Sequence, residues 1–213
     1  MFQSPKIGLL LGLTDPICDL IMGLTAENLA KNPSLGITRE DQDKFALRSH
    51  QNAHQAEKLL AEEICPLYIP NGNEYSYLDS DNGINKNASL EIFARTKPFF
   101  DRRYGTVTAA NSSQITDGAA CVLLMNENTA KRFGLTVLGY IVDYCDIGFD
   151  PTQMGLAPVG AIAKLLKQTK RDLKEISILE INEAFAAQVL ACTRVMSSNR
   201  LMNKFFSAYH LGN

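Results

Sequence analysis

No basic stripe, no Cys-x-x-Cys pair, no internal repeat and no low-complexity tract occurs along these 213 residues. Each absence removes a class of function. The 21 basic and 23 acidic residues are scattered and leave a formal net charge of -2, so no surface is set up to neutralise a phosphate backbone and nucleic acid is not an expected partner. The five cysteines (Cys18, Cys65, Cys121, Cys145 and Cys192) are far apart and odd in number. That pattern suggests neither zinc nor a redox motif and suits free thiols in a reducing compartment. None has the neighbours that activate a thiolate, so all five read as structural. Long apolar runs are also missing. Residues 7–13 (IGLLLGL) follow Lys6 like the start of a secretory signal, but so short a run cannot span a bilayer. No small-x-small cleavage site follows, and Thr14, Asp15 and Pro16 read as a turn or helix start. The expected location is the cytoplasm, or an organelle matrix in a eukaryote.

What remains is a globular composition, 46% hydrophobic and 21% charged, able to bury a core in one large or two small domains. From Thr38 the pattern becomes helical. Thr38 is placed to cap, Asp41 completes a weak capping box, and Phe45, Ser49, Ala53, Ala56 and Leu60 share one face, which carries the helix to about Glu63. Residues 66–88, rich in Asn, Gly, Ser, Asp and Tyr around Pro70, Asn71, Gly72 and Asn73, read as loop with room for a short hairpin. Ser89 then starts a short helix. Strands are expected at 106–109, 119–125 (AACVLLM, buried on both faces), 135–145 and 176–181 (ISILEI), and helices at 126–133, 156–170 and 184–196. Strands alternating with helices at this spacing imply parallel β-α-β units and an α/β fold.

Three segments, in order, resemble the thiolase family, the acetyl-CoA acyltransferases that cleave or form 3-ketoacyl-CoA. The first is 22–30 (MGLTAENLA) with 36–43 (GITREDQD) and Arg48, Ser49 and His50. The second is 97–101 (KPFFD) with 105–113 (GTVTAANSS) and 116–119 (TDGA). The third is 182–188 (NEAFAAQ). Residues 81–84 (DNGI), Lys97-Pro98 and Tyr104-Gly105 look most like long-chain 3-ketoacyl-CoA thiolases, including the β-subunit of the trifunctional protein; Asn182-Glu183 is similar to the ordinary degradative and biosynthetic enzymes. The resemblance implies a partial thiolase fold. Residues 1–105 would form the loop domain that covers coenzyme A, 106–134 the end of the N-terminal α/β half, and 135–213 the start of the C-terminal half. A homo-oligomer or a partner chain would complete it.

The family's chemistry uses one cysteine as nucleophile, a second as acid/base and a histidine beside an oxyanion hole. A thiolate attacks thioesters well, and the developing charge needs preorganised donors. The Cys-Ser-Ser/Ala-Gly, Gly-His-Pro and late cysteine segments have no counterpart in this sequence, and His210 lacks the flanking Gly and Pro. The isolated chain is therefore expected to be inactive, with coenzyme A as substrate and no metal or other cofactor.

Of that set Asn182 matches the position whose amide holds an oxyanion-hole water; an Asn before a helix is also an ordinary cap. Glu183 suits a structural or water-ordering role, or a surface carboxylate. Ser112 and Ser113, with Gln114, match the loop that hydrogen-bonds the pantetheine arm, or form a turn whose hydroxyls bond their own backbone. Met22, preceded by Ile21 where many short-chain members have histidine, matches a pocket position, as do Met154 and Phe185; each could equally be core. Lys97 and Arg95 are candidates for the phosphates, or solvated surface charges. His50 and His54 share a helix face without a visible third metal ligand.

Overall fold

The computed structural model describes residues 8–72 and 74–207; His210 lies outside them. Helix α1 (Gly8–Gly12) is short, and α2 (Met22–Lys31) buries Ala26, Leu29 and Ala30 on one face. Helix α3 (Arg39–Gln55) starts at the expected capping box: Thr38 Oγ1 accepts the Asp41 N–H at 3.1 Å and Asp41 Oδ2 accepts the Thr38 N–H at 3.0 Å. A break at Ala56 separates it from α4 (Glu57–Glu63). The Asn/Gly-rich stretch does hold a hairpin, β1 (Leu67–Asn71) antiparallel to β2 (Glu74–Leu78), with Gly72 at φ +64° in the turn. Ser89 caps α5 (Leu90–Arg95) and Asn126 caps α6 (Glu127–Arg132). A 3₁₀ turn, Pro151–Leu156, runs into α7 (Ala157–Thr169), which Lys170 ends in the left-handed conformation. Helices α8 (Ala186–Met196) and α9 (Asn199–Phe205) close the chain.

The main core lies between α2, α7, α8 and α9, where Leu29, Leu156, Val159, Val195, Met202 and Phe206 pack together. Arg194 on α8 reaches back across it, donating to the Leu35 carbonyl and to Asp41 Oδ2 at 2.8 Å. The Thr38 amide, assisted by Arg194, holds the Asp41 carboxyl below the ordinary aspartate value.

A buried polar network joins α2 and α3 to residues 106–111. Glu27 is only 1% exposed. Its carboxylate accepts the Thr106 N–H at 3.0 Å and the Val107 N–H at 2.9 Å, and an added Cβ at Gly105 would collide with it. Asn111 accepts the Thr108 N–H at 2.8 Å and donates to Asp43 Oδ1 at 2.9 Å. Asp43 in turn pairs with Arg39, whose guanidinium also donates to the Phe93 and Thr96 carbonyls at 2.6 and 2.8 Å. Those carbonyls lie at the end of α5, where one arginine adds to the Thr96 N–H that Phe93 already accepts at 2.9 Å.

The parallel sheet read from the sequence is not formed. Among the described residues the only ladder is β1–β2, and 106–109 contributes a single bridge, Pro98 to Thr108. Segments 119–125, 135–145 and 176–181 are not strands. The expectation that 119–125 is buried on both faces is overturned: Val122 is 81% and Leu123 79% exposed, and Leu138 is 99% exposed. Cys121, placed by the sequence in a buried strand, is exposed with them. Apolar β-branched runs specify a strand only where a neighbour completes the hydrogen bonds, and no described segment of this chain pairs with these.

The polar network sets a stability test. Each buried N–H left without an acceptor costs about 1–3 kcal/mol, so Glu27→Ala should lower the unfolding free energy by about 2–5 kcal/mol, and Glu27→Gln, which keeps one acceptor, by about half as much. Urea titrations of the three proteins measure it. An alanine variant as stable as the parent would contradict it.

Candidate functional site

Helix α2, the 151–156 turn and α8 converge because small residues let them approach. Asn28 Nδ2 donates to the Thr152 carbonyl at 2.9 Å. A Cβ on Gly155 would lie 2.8 Å from Leu29 Cδ1 and 2.9 Å from Gln188 Cγ, so only glycine lets the turn press onto both helices. Under it, Cys192 Sγ donates to the Gly155 carbonyl at 3.1 Å, and burial pushes its thiol up to about 11. It is a packing thiol.

Above this junction opens an apolar cavity of about 500 Å³. Met22 and Leu29 from α2, Met154 from the turn, Pro158 and Ile162 from α7, and Asn182, Phe185 and Gln188 line it. Four residues singled out from the sequence, Met22, Met154, Asn182 and Phe185, thus share one wall system although up to 163 positions apart in sequence, 22 to 185. The helix-cap alternative for Asn182 is not realised: the N-cap position of α8 is Phe185. Gln188 and Gly155 belong to the same cavity and were not singled out. Gln188 follows Phe185 by three positions, a spacing that puts both on one helix face.

The extended stretch before α8 divides this cavity from a second. Ser112 bridges to Phe185 and the Ser113 N–H donates to the Ala184 carbonyl at 2.8 Å. Behind that pairing lies a polar cavity of about 470 Å³ lined by Ser49, His50, Gly83, Ser112, Ser113, Gln114 and Glu183. Ser112 Oγ donates to the Thr108 carbonyl at 2.6 Å, Ser113 Oγ to the Gln114 carbonyl at 3.3 Å, and Gln114 Nε2 to the Gly83 carbonyl at 2.9 Å. The turn-like alternative for these hydroxyls is therefore present in the structure. The serines do not share a cavity with Asn182 and the methionines. Lys97 and Arg95 are exposed and line neither cavity.

His50 and His54 go to different partners, the Asn85 N–H at 3.2 Å and Glu57 at 3.2 Å. Among the described residues no group of three or more His, Cys, Asp or Glu side chains is placed to hold a metal, and no helix is long and apolar enough to cross a membrane. No cysteine or histidine among them lines the apolar cavity. What it offers is apolar surface, with the Asn182 and Gln188 amides among its lining to orient a polar atom.

Comparisons with known proteins identify the family. The family model for the thiolase N-terminal domain matches residues 3–128 and that for the thiolase C-terminal domain residues 135–208. A probable acetyl-CoA acyltransferase of Staphylococcus aureus is 45% identical over 186 residues, which are 86% of this chain and 47% of that protein. The crystal structure of the Bacillus anthracis acetyl-CoA acetyltransferase superposes on 100% of this chain and 54% of its own, with a TM-score of 0.86 at 38% identity. Human mitochondrial 3-ketoacyl-CoA thiolase in complex with CoA covers 92% of this chain and 50% of its own, with a TM-score of 0.80 at 35% identity. The chain spans about half the length of the relatives it matches.

Glu183 gives the site a pH signature. It is half-buried and accepts the Ser49 hydroxyl at 2.7 Å. Burial raises its carboxyl above the ordinary glutamate value of 4.5, against the Ser49 bond and the Arg48 charge. A raised folded-state value means that protonation favours the fold; this contribution is complete below 4.5 and is lost as pH rises through the folded value. Glu183→Gln keeps an acceptor for Ser49 without the buried charge. Its melting temperature should exceed the parent's at neutral pH, and the gap should close as pH falls through the raised folded value and be gone below 4.5. A gap independent of pH would show that burial of the charge is not its cause.

Proposed function

The chain belongs to the thiolase family, and from that premise we propose that it supplies the acyl- and coenzyme A-contacting part of a 3-ketoacyl-CoA thiolase of fatty-acid breakdown. Its fold is a partial α/β thiolase fold. The observation that carries the reading is the convergence of Met22, Met154, Asn182 and Phe185 on one apolar cavity. A cavity of about 500 Å³ is of the size that takes a small acyl group and the thioester end of its carrier. In this reading Asn182 orients a water toward the thioester oxygen, and Met22, Met154 and Phe185 enclose the acyl chain. The strand-like pairing of Ser112 and Ser113 with residues 184–185 forms the wall along which the pantetheine arm lies. Lys97, exposed on its loop, is available to the phosphates in solution as a point charge. The loop-domain division, 1–105, 106–134 and 135–213, belongs to the same proposal, as does a cytoplasmic or organelle-matrix location.

The 213 residues alone bind this side of the substrate without turning it over. Among the described residues the cavity presents no thiol or imidazole, and Cys192, which bonds the Gly155 carbonyl at its wall, is buried and held near 11, far from the depressed values that make a nucleophile. A second reading, one subunit of a split thiolase, is favoured by the exposed apolar runs at 119–125 and 135–145, which suit a covering polypeptide better than water. A non-catalytic CoA-thioester-binding protein is the third, and its support is the Ser112–Ser113 wall.

Two measurements separate these readings. Purified chain of confirmed intact mass should show no thiolysis of a 3-ketoacyl-CoA, because loss of catalytic groups that act together costs roughly a million-fold; turnover near family levels would overturn the proposal. Acetyl-CoA should bind no tighter than about millimolar by calorimetry, since half a channel forfeits burial and preorganisation. Micromolar binding abolished by Ser113→Ala would instead put the CoA-binding reading first.

A further inference from the structure

The β1–β2 hairpin reaches the polar cavity only through Leu78, the last residue of β2, and takes no part in the apolar one; every residue of its two strands is exposed. A two-stranded hairpin by itself is marginally stable in water. Its two free edges differ. Asn71 and Glu74 flank the turn, so they form a hydrogen-bonded pair, and with the observed register Ile69–Ser76 and Leu67–Leu78 are hydrogen-bonded pairs as well. Pro70–Tyr75 and Tyr68–Tyr77 are the intervening pairs, whose backbone groups point away from the partner strand.

On β1 one of those outward positions is Pro70, which has no N–H to offer; this is a standard way of closing a sheet edge. On β2 the outward positions are Tyr75 and Tyr77, both with free N–H and C=O. Among the described residues no strand pairs with that edge. No lysine or arginine occurs between Lys58 and Lys86, and Tyr75 is 69% exposed while the Tyr68 and Tyr77 rings meet tilted on the same face, 5.0 Å between centroids.

We propose that β2 is a pairing edge for a second copy of this chain, which adds its own β2 antiparallel across a two-fold axis to make a four-stranded sheet. The proposal does not depend on the acyl-CoA reading. A second copy is the occupant that the edges select, because a closed β1 and an open β2 allow identical chains only β2-to-β2 pairing, which is isologous and stops at two. The outward amides must pair with outward amides, and only the register centred on Ser76 uses all five residues of β2. It sets Tyr75 against Tyr77 of the partner subunit and Glu74 against Leu78 of the partner subunit, so the acidic side chains do not oppose each other. Ser76 would face Ser76 of the partner subunit as a non-hydrogen-bonded pair, with Cα atoms about 4.5 Å apart, within the range a disulfide spans.

That geometry gives the test. In a background carrying Cys65→Ser and Cys121→Ser, which removes two exposed thiols, Ser76→Cys should oxidise to a disulfide-linked dimer at least about tenfold faster than a Ser80→Cys control beyond the strand, since pre-pairing makes the reaction effectively intramolecular. Adding Tyr77→Pro, which removes an outward N–H as Pro70 does, should return the rate to the control value. Tyr77→Lys should do the same with the hairpin chemistry otherwise intact. Circular dichroism of each variant checks that it is folded. Ser76→Cys reacting no faster than the control overturns the proposal, as does fast cross-linking untouched by Tyr77→Lys. Association through the exposed runs at 119–125 or 135–145 would raise both cysteines alike and so counts against it.

Discussion

One buried carboxylate holds the two ends of the loop region together. Glu27 sits on the inner face of α2, and the backbone amides of Thr106 and Val107 converge on it with no other acceptor. Transfer of an unpaired carboxylate to such a site is costly, and two unpaired amides would be costly as well; each satisfies the other. Once residues 106–107 are fixed, Asn111 falls where it can bridge to Asp43, and the Arg39 fork on Asp43 reaches the end of α5. Ser112 and Ser113 then meet residues 184–185. The placement of both cavities follows from that chain of polar contacts.

Helices were legible where their ends carry side-chain caps. Thr38 with Asp41, Ser89 and Asn126 each mark a start that the structure reproduces, because a cap is a local interaction within four residues. The hairpin was legible for the same reason, through Gly72 in its turn. Strands were not, since 119–125 and 176–181 carry the right composition but need a partner that composition cannot supply. Glu27 and Asn111 lie inside the family segments 22–30 and 105–113 with no local sign of their role; a glutamate in a helix reads as solvated surface, and nothing local reveals that two amides from 79 and 80 positions away will find it. The cavity residues were legible through the thiolase motifs alone. Periodicity gave each methionine and phenylalanine no more claim than any core side chain.

The division of the site has a simple geometric origin. In a strand-like segment successive side chains face opposite ways, and across 182–184 Asn182 and Ala184 line the apolar cavity while Glu183 lines the polar one. The bridge from Ser112 to Phe185 lies between the two cavities. Asn182 is thereby kept from the carboxylate of Glu183, its neighbour in sequence.

The apolar runs that lack a ladder weigh more than any single contact in the fold. Burying a valine or leucine side chain is worth about 1.5–3 kcal/mol, and Val122, Leu123, Leu124, Leu138, Ile141 and Val142 are each two-thirds exposed or more. The transfer free energy left unused on these six side chains is therefore about as large as the whole net stability of an ordinary domain, roughly 5–15 kcal/mol. A polypeptide that covers them, in the way parallel strands are covered on both faces, would shift the folding equilibrium by an amount that no local substitution in the helices could match. The hairpin edge is of a different kind. It offers a few backbone hydrogen bonds and tyrosine faces, enough to choose a register but too little to decide whether the chain folds. Covering the runs and pairing the edge are thus separable events, the first acting on stability and the second on symmetry.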